Sequence, residues 1–140
     1  MIIIKHENFP DGIANIIRHF EFQRAGESIL KFPQEEYGND LKPGEWLECV
    51  GKQAKSQRPF ILTMDSGIKG NALTIDEMKR TGCSFVVFVK AWSTEPFDSF
   101  AWRAIKIWPD VVQQVQRSHT AGRHCRIDVP RKGMIGFHNF

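Results

Sequence analysis

Three side chains stand where apolar runs stop or helices begin, and each could carry chemistry. His6 follows the run in MIIIKHENFP, where Ile2, Ile3 and Ile4 give way to Lys5-His6-Glu7-Asn8 and then Pro10. Asp65 ends FILTMDS in the same manner, and Glu45 precedes Trp46 in PGEWLECVGK. An imidazole or carboxylate at the mouth of a buried strand is placed to move a proton or hold a cation. Each also has a plain structural use. An aspartate there caps the following turn through its own side chain, and a glutamate in a first helical turn is favoured by the helix dipole. Asn8 is suited to cap a helix begun by Pro10. Successive side chains of a strand face opposite ways, so with His6 turned into a crevice Glu7 points out of it unless the chain has already turned.

These positions need elements to hold them. Ile2–Ile4 reads as a strand buried on both faces. Ile13, Ile16, Ile17 and Phe20 form one helical stripe, closed by Gly26. Ser28–Phe32 reads as a second strand, Pro33–Gly44 as a loop by its turn residues, and Trp46, Leu47 and Val50 as a helix. Phe60–Met64 is a third strand, and Thr74 and Glu77 mark a short helix by capping-box spacing. Ser84–Val89 is the clearest strand. Asp98–Ser118 follows as a helical stretch that Pro109 should kink or split in two. Cys125–Val129 alternates like an edge strand. Strand–helix alternation of this kind predicts an α/β fold, one domain over residues 1–140, with a mainly parallel sheet. Sites in such sheets lie outside the carboxyl ends of the strands. His6 and Asp65 are therefore expected near one crevice.

Composition narrows the classes. The net charge of +3 and pI near 8.9 lean toward an anionic partner. The basic residues Lys52, Lys55, Arg58, Lys69, Arg123, Arg126, Arg131 and Lys132 read as solvated faces unless they flank the crevice, where they could hold phosphates. Cys49, Cys83 and Cys125 include no CxxC and read as reduced thiols of a cytoplasmic protein. His119 and His124, beside Cys125, match neither zinc-finger nor zincin spacing and read as surface histidines. No apolar run is long enough for a membrane span, the short N-terminal run does not make a signal peptide, and no phosphate-binding glycine loop or GxSxG is present.

Taken together, IIIKHENFPDGIANIIRHF, PGEWLECVGK and FILTMDSGIKGNALTIDEMKRTG resemble the PIN-like nucleases of the VapC-type toxin group, in the short branch whose first strand ends in Asp-Glu-Asn. The third block is the most specific, and the order of elements is similar along most of the chain. The resemblance implies a PIN-like three-layer α/β/α domain acting as a metal-dependent endoribonuclease, the toxin of a toxin–antitoxin pair. It implies Mg²⁺ or Mn²⁺ held by Glu45 and Asp65, with Asn8 orienting the site and Lys69 and Asn71 touching phosphate or supporting their turn. RNA, a cognate antitoxin protein and a homodimer are the implied partners. His6 stands where the family has its first acid. As ligand or general base it would leave an altered active site. Without activity the chain would be a PIN-like RNA- or protein-binding module.

Overall fold

Strand β1 (Ile3–Lys5) is buried at every residue, and its neighbours explain why. It lies between β2 (Leu30–Lys31) and β3 (Phe60–Met64), parallel to both, with Ile3 level with Leu30 and Phe60 and Ile4 level with Ile61. The computed structural model describes residues 1–42, 45–64, 80–122, 125–132 and 134–139. The expected Thr74–Arg80 helix falls almost wholly outside them.

The sheet has six strands in the order β2-β1-β3-β4-β5-β6. Strands β4 (Ser84–Phe88) and β5 (Cys125–Val129) continue the parallel arrangement, and β6 (Gly136–Asn139) closes it antiparallel to β5. The chain leaves β1 toward β2 and then crosses back to β3 on the other side. The switch in winding direction therefore falls between β1 and β3, the crevice position of doubly wound sheets. Two apolar clusters divide by strand alternation. Ile3, Leu62, Val86 and Ile127 pack with α1 (Asp11–Ala25) and α4 (Phe97–Thr120), while Ile4, Ile61, Phe85 and Val87 pack with Trp46, Leu47 and Val50 of α3 (Glu45–Lys52).

Several expectations are corrected. Cys125–Val129 is an interior strand because β6 takes the edge, and β6 itself carries little apolar signal beyond Phe137. Part of the expected Pro33–Gly44 loop is a short helix, α2 (Pro33–Tyr37). It has proline in its first turn, and the Glu35 carboxylate accepts the Phe32 N–H at 3.0 Å and the Arg18 guanidinium at 2.6 and 3.0 Å. Helix α4 runs unbroken through Pro109. Ala104, Trp108, Val111 and Val115 are all buried on both sides of the proline, so packing holds the helix across the missing hydrogen bond. Arg58 is no solvated base. It donates to the carbonyls of Gly51, Gln53 and Gly82, closing the end of α3 against the entry to β4. Arg126 is buried and paired with Asp128, which also meets His138 at 3.0 Å.

One carboxylate joins three elements. Glu21 of α1 accepts from Ser28 Oγ at 2.5 Å, from the Leu30 N–H at 3.3 Å and from the buried Trp108 indole of α4 at 3.1 Å. Truncating it leaves the indole and amide donors without their partner. Glu21→Ala should lower stability by about 3 kcal/mol, read as a lower urea midpoint at unchanged slope.

Candidate functional site

Beyond Lys5 the chain turns at once. The Lys5 ammonium is buried and donates back to the carbonyls of His6 at 2.9 Å and Phe9 at 2.7 Å, and pairs with Asp11 at 2.8 Å. A buried ammonium needs such partners, and here they are the carbonyls of the turn itself. Asn8 holds the turn from its other side. Its Oδ1 accepts from Thr63 Oγ1 at 2.7 Å and the Met64 N–H at 3.2 Å, and its Nδ2 donates to the Met64 carbonyl at 3.2 Å. The amide thus stands in for a peptide unit and extends the β1–β3 ladder by one side chain. Asn8 is not a helix cap: the cap position of α1 is Pro10, and it receives no side-chain hydrogen bond.

Because the chain has turned, Glu7 is on the same side as His6. Glu7 Oε2 lies 3.4 Å from His6 Nε2, and Glu7 Oε1 accepts the Trp46 indole N–H at 2.6 Å. The Trp46 ring meets the imidazole edge-on at 5.9 Å. The Asn8 backbone N–H donates to His6 Nδ1 at 3.3 Å. That donor assigns the ring hydrogen to Nε2, directed at Glu7. Nε2 faces the Glu7 carboxylate at 3.4 Å, and a cation at either ring nitrogen would displace that carboxylate or the Asn8 N–H.

Glu45 is the exposed first residue of α3, directly before the Trp46 that faces His6. Its carboxylate has no ion pair or side-chain hydrogen bond among the described residues, so its first-turn position and a binding role are both compatible with its surroundings. Asp65, Lys69 and Asn71 lie outside the described residues, as do Arg123 and His124. Among the described residues no three His, Cys, Asp or Glu side chains come together as a metal site. His119 sits half-buried near the end of α4, and none of Cys49, Cys83 and Cys125 forms a disulfide.

A cavity of about 260 Å³ adjoins the turn and shares Glu7 and Trp46 with the surroundings of His6; Lys5, Asp11, Phe32 and Tyr37 also line it. Tyr37 stacks on Trp46 and its hydroxyl donates to Gln53. Burial, with the charge of Glu36 next in effect, pushes the Tyr37 phenol up to about 12. Among the described residues no helix is long and apolar enough to cross a membrane. No family model matches the chain, and no curated protein or solved structure matches it.

Sequence reasoning had Glu7 pointing out of the crevice unless the chain had already turned, and the structure shows that it has. That Lys5 would close the turn was not foreseen. The Trp46 indole was legible only as a core residue.

Two measurements follow. Asn8→Ala should cost about 2 kcal/mol of stability, because three hydrogen bonds are lost and the Met64 groups are left facing an empty side. Asn8→Asp should cost a similar amount, since a carboxylate cannot donate to the Met64 carbonyl and sets two acceptors against each other. Tyr37 is the chain's single tyrosine, so an absorbance titration should show no phenolate until pH approaches 12. The folded state then binds more protons than the unfolded one above pH 10. Stability should be intact below that pH and fall as pH rises from 10 toward 12.

Proposed function

We propose that the chain is a PIN-like three-layer α/β/α domain and a metal-dependent endoribonuclease, the toxin partner of an antitoxin protein in the cytoplasm. The observation that supports this reading is the tie between the β1 and β3 ends. The Asn8 side chain binds Thr63 and Met64, the residues that lead in sequence to Asp65, and it does so at the β1/β3 switch point. His6, Glu7 and Asn8 thus share an edge with the segment carrying the strongest candidate acid.

The residues that would hold Mg²⁺ or Mn²⁺ are Asp65 and Glu45, whose oxygen donors suit a hard cation. Such an ion, when bound, activates water and stabilises charge on a phosphodiester. His6 stands in the place of a third acid, with its Nε2 beside the Glu7 carboxylate and its Nδ1 taken by the Asn8 N–H. Lys69 and Asn71 would meet the RNA phosphates. A homodimer belongs to the same reading.

The Asn8 N–H on His6 Nδ1 and the Glu7 carboxylate beside Nε2 favour a second reading, an inactive PIN-like module that binds RNA or protein. One cleavage assay separates the two, using single-stranded RNA with Mn²⁺. The nuclease reading expects wild-type cleavage that chelation abolishes, and His6→Asp raising the rate at least about tenfold by restoring a hard ligand and a charge. Absence of metal-dependent cleavage from both wild type and His6→Asp, with RNA still bound, would establish the binding module instead.

A further inference from the structure

A second group of charged side chains lies on the same edge of the sheet, beyond the crevice. Glu95 follows the turn (Lys90–Thr94) that leaves β4, Arg131 follows the end of β5, and Arg103 is in the second turn of α4. The Glu95 side chain is nine-tenths buried, and its Oε1 accepts no hydrogen bond. Arg103 Nε lies 3.6 Å and Arg131 Nη1 3.5 Å from that same oxygen. Both separations exceed the 2.7–2.9 Å of a closed charge-assisted hydrogen bond. The two cations are therefore gathered by one carboxylate without spending their donors on it. Among the described residues neither guanidinium donates any hydrogen bond, and both are partly exposed, at 41% and 35%.

A closed structural ion pair does not look like this. Two cations against one buried anion leave a net positive charge, and two planar donor forks stand unused at the surface. That combination is suited to grip an oxyanion with paired N–H donors. The exposed Lys90 and Lys132 leave the same strand ends and add to the positive potential, against the one exposed acid of this stretch, Asp98 in the first turn of α4. From the end of β1 to the end of β5 is three strand spacings, about 14 Å.

We propose that Arg103 and Arg131, gathered by Glu95, form a phosphate clamp for single-stranded RNA. It would hold the backbone a few nucleotides away from the β1/β3 crevice. This rests on the ribonucleic-acid reading above, but not on catalysis. Glu95 is a positioning residue: it brings the arginines together and lowers their mutual repulsion.

The test is fluorescence anisotropy of full-length protein with an unstructured oligouridylate in chelator, over a range of salt. Each phosphate contact on a single strand contributes about 0.7 to the slope of log affinity against log salt. Arg103→Gln/Arg131→Gln should bind about tenfold more weakly at low salt, with a slope shallower by about 1.4. Removing both cations leaves the buried Glu95 carboxylate without counter-charge, so the double variant should melt below wild type, and binding is compared at a temperature where both melting curves show the folded state. Glu95→Gln releases both arginines from the carboxylate that gathers them and should bind two- to threefold more weakly, at a wild-type salt slope. An unchanged slope in the double variant would overturn the clamp, and so would wild-type or tighter binding by Glu95→Gln. An RNA that is bound through the arginines but never cleaved would leave the clamp standing and remove the nuclease reading. Metal-dependent cleavage with an unchanged salt slope would do the reverse.

Discussion

The working edge of this protein depends on one side-chain amide, that of Asn8. Strand β1 pairs with β3 only as far as Lys5 and Leu62, after which the His6 N–H still reaches the Leu62 carbonyl and the chain turns away. Thr63 and Met64 continue β3 beyond that point, with nothing from the β1 backbone opposite them. Unpaired buried peptide groups are costly, and the Asn8 amide meets them with a donor and an acceptor in the geometry of a peptide. Only asparagine or glutamine offers both, and glutamine is a methylene longer. The residue type is thus set by the ladder, and the turn of residues 6–9 follows from it.

The turn then determines the electrostatics. Lys5 closes it from inside by binding two of its carbonyls, which removes an ammonium from the crevice that its sequence position would suggest. Glu7 is brought to the side of His6 and fixed by the Trp46 indole, so the helix on one face of the sheet and the strand end orient the same carboxylate. A carboxylate held by the indole donor keeps its direction beside the imidazole, whose Nδ1 accepts the Asn8 N–H. The polarity of the edge therefore comes from cross-element hydrogen bonds more than from the charges that stand in the sequence.

The interior of the fold was legible because it obeys simple periodicity. Phe60–Met64 occupies the residues its apolar run marks out, β4 differs by one residue, and the α3 face with Trp46, Leu47 and Val50 is buried as its spacing requires. Misreadings arose where tertiary partners override local signals. Pro109 breaks a helix by itself but not one packed on both sides of it. Gly38, Asn39 and Asp40 spoke for a loop, while the Glu35–Phe32 hydrogen bond and the Arg18–Glu35 pair made a helix just before them. β6 was invisible because an edge strand needs few apolar residues, and missing it turned β5 into an apparent edge. The candidate site was legible in part: His6 and Asn8 do share the β1/β3 end, whereas the direction of Glu7 depended on a turn that alternation cannot anticipate.

Position 6 shows why fold and activity can separate in such an edge. The bond that holds His6 in the sheet is made by its backbone N–H to Leu62, and the neighbouring tie is made by Asn8. Neither uses the imidazole. An acid and a histidine are therefore nearly equivalent to the sheet at this position, although they differ by a full negative charge and by ligand hardness to anything bound there. The ring's contacts to Glu7, Trp46 and the Asn8 N–H are local to the crevice. Selection on stability would be nearly blind to an exchange at this residue, while selection on cation binding would see it at once. A histidine here changes the charge and the ligand set of the crevice while the backbone ties of the scaffold stay in place.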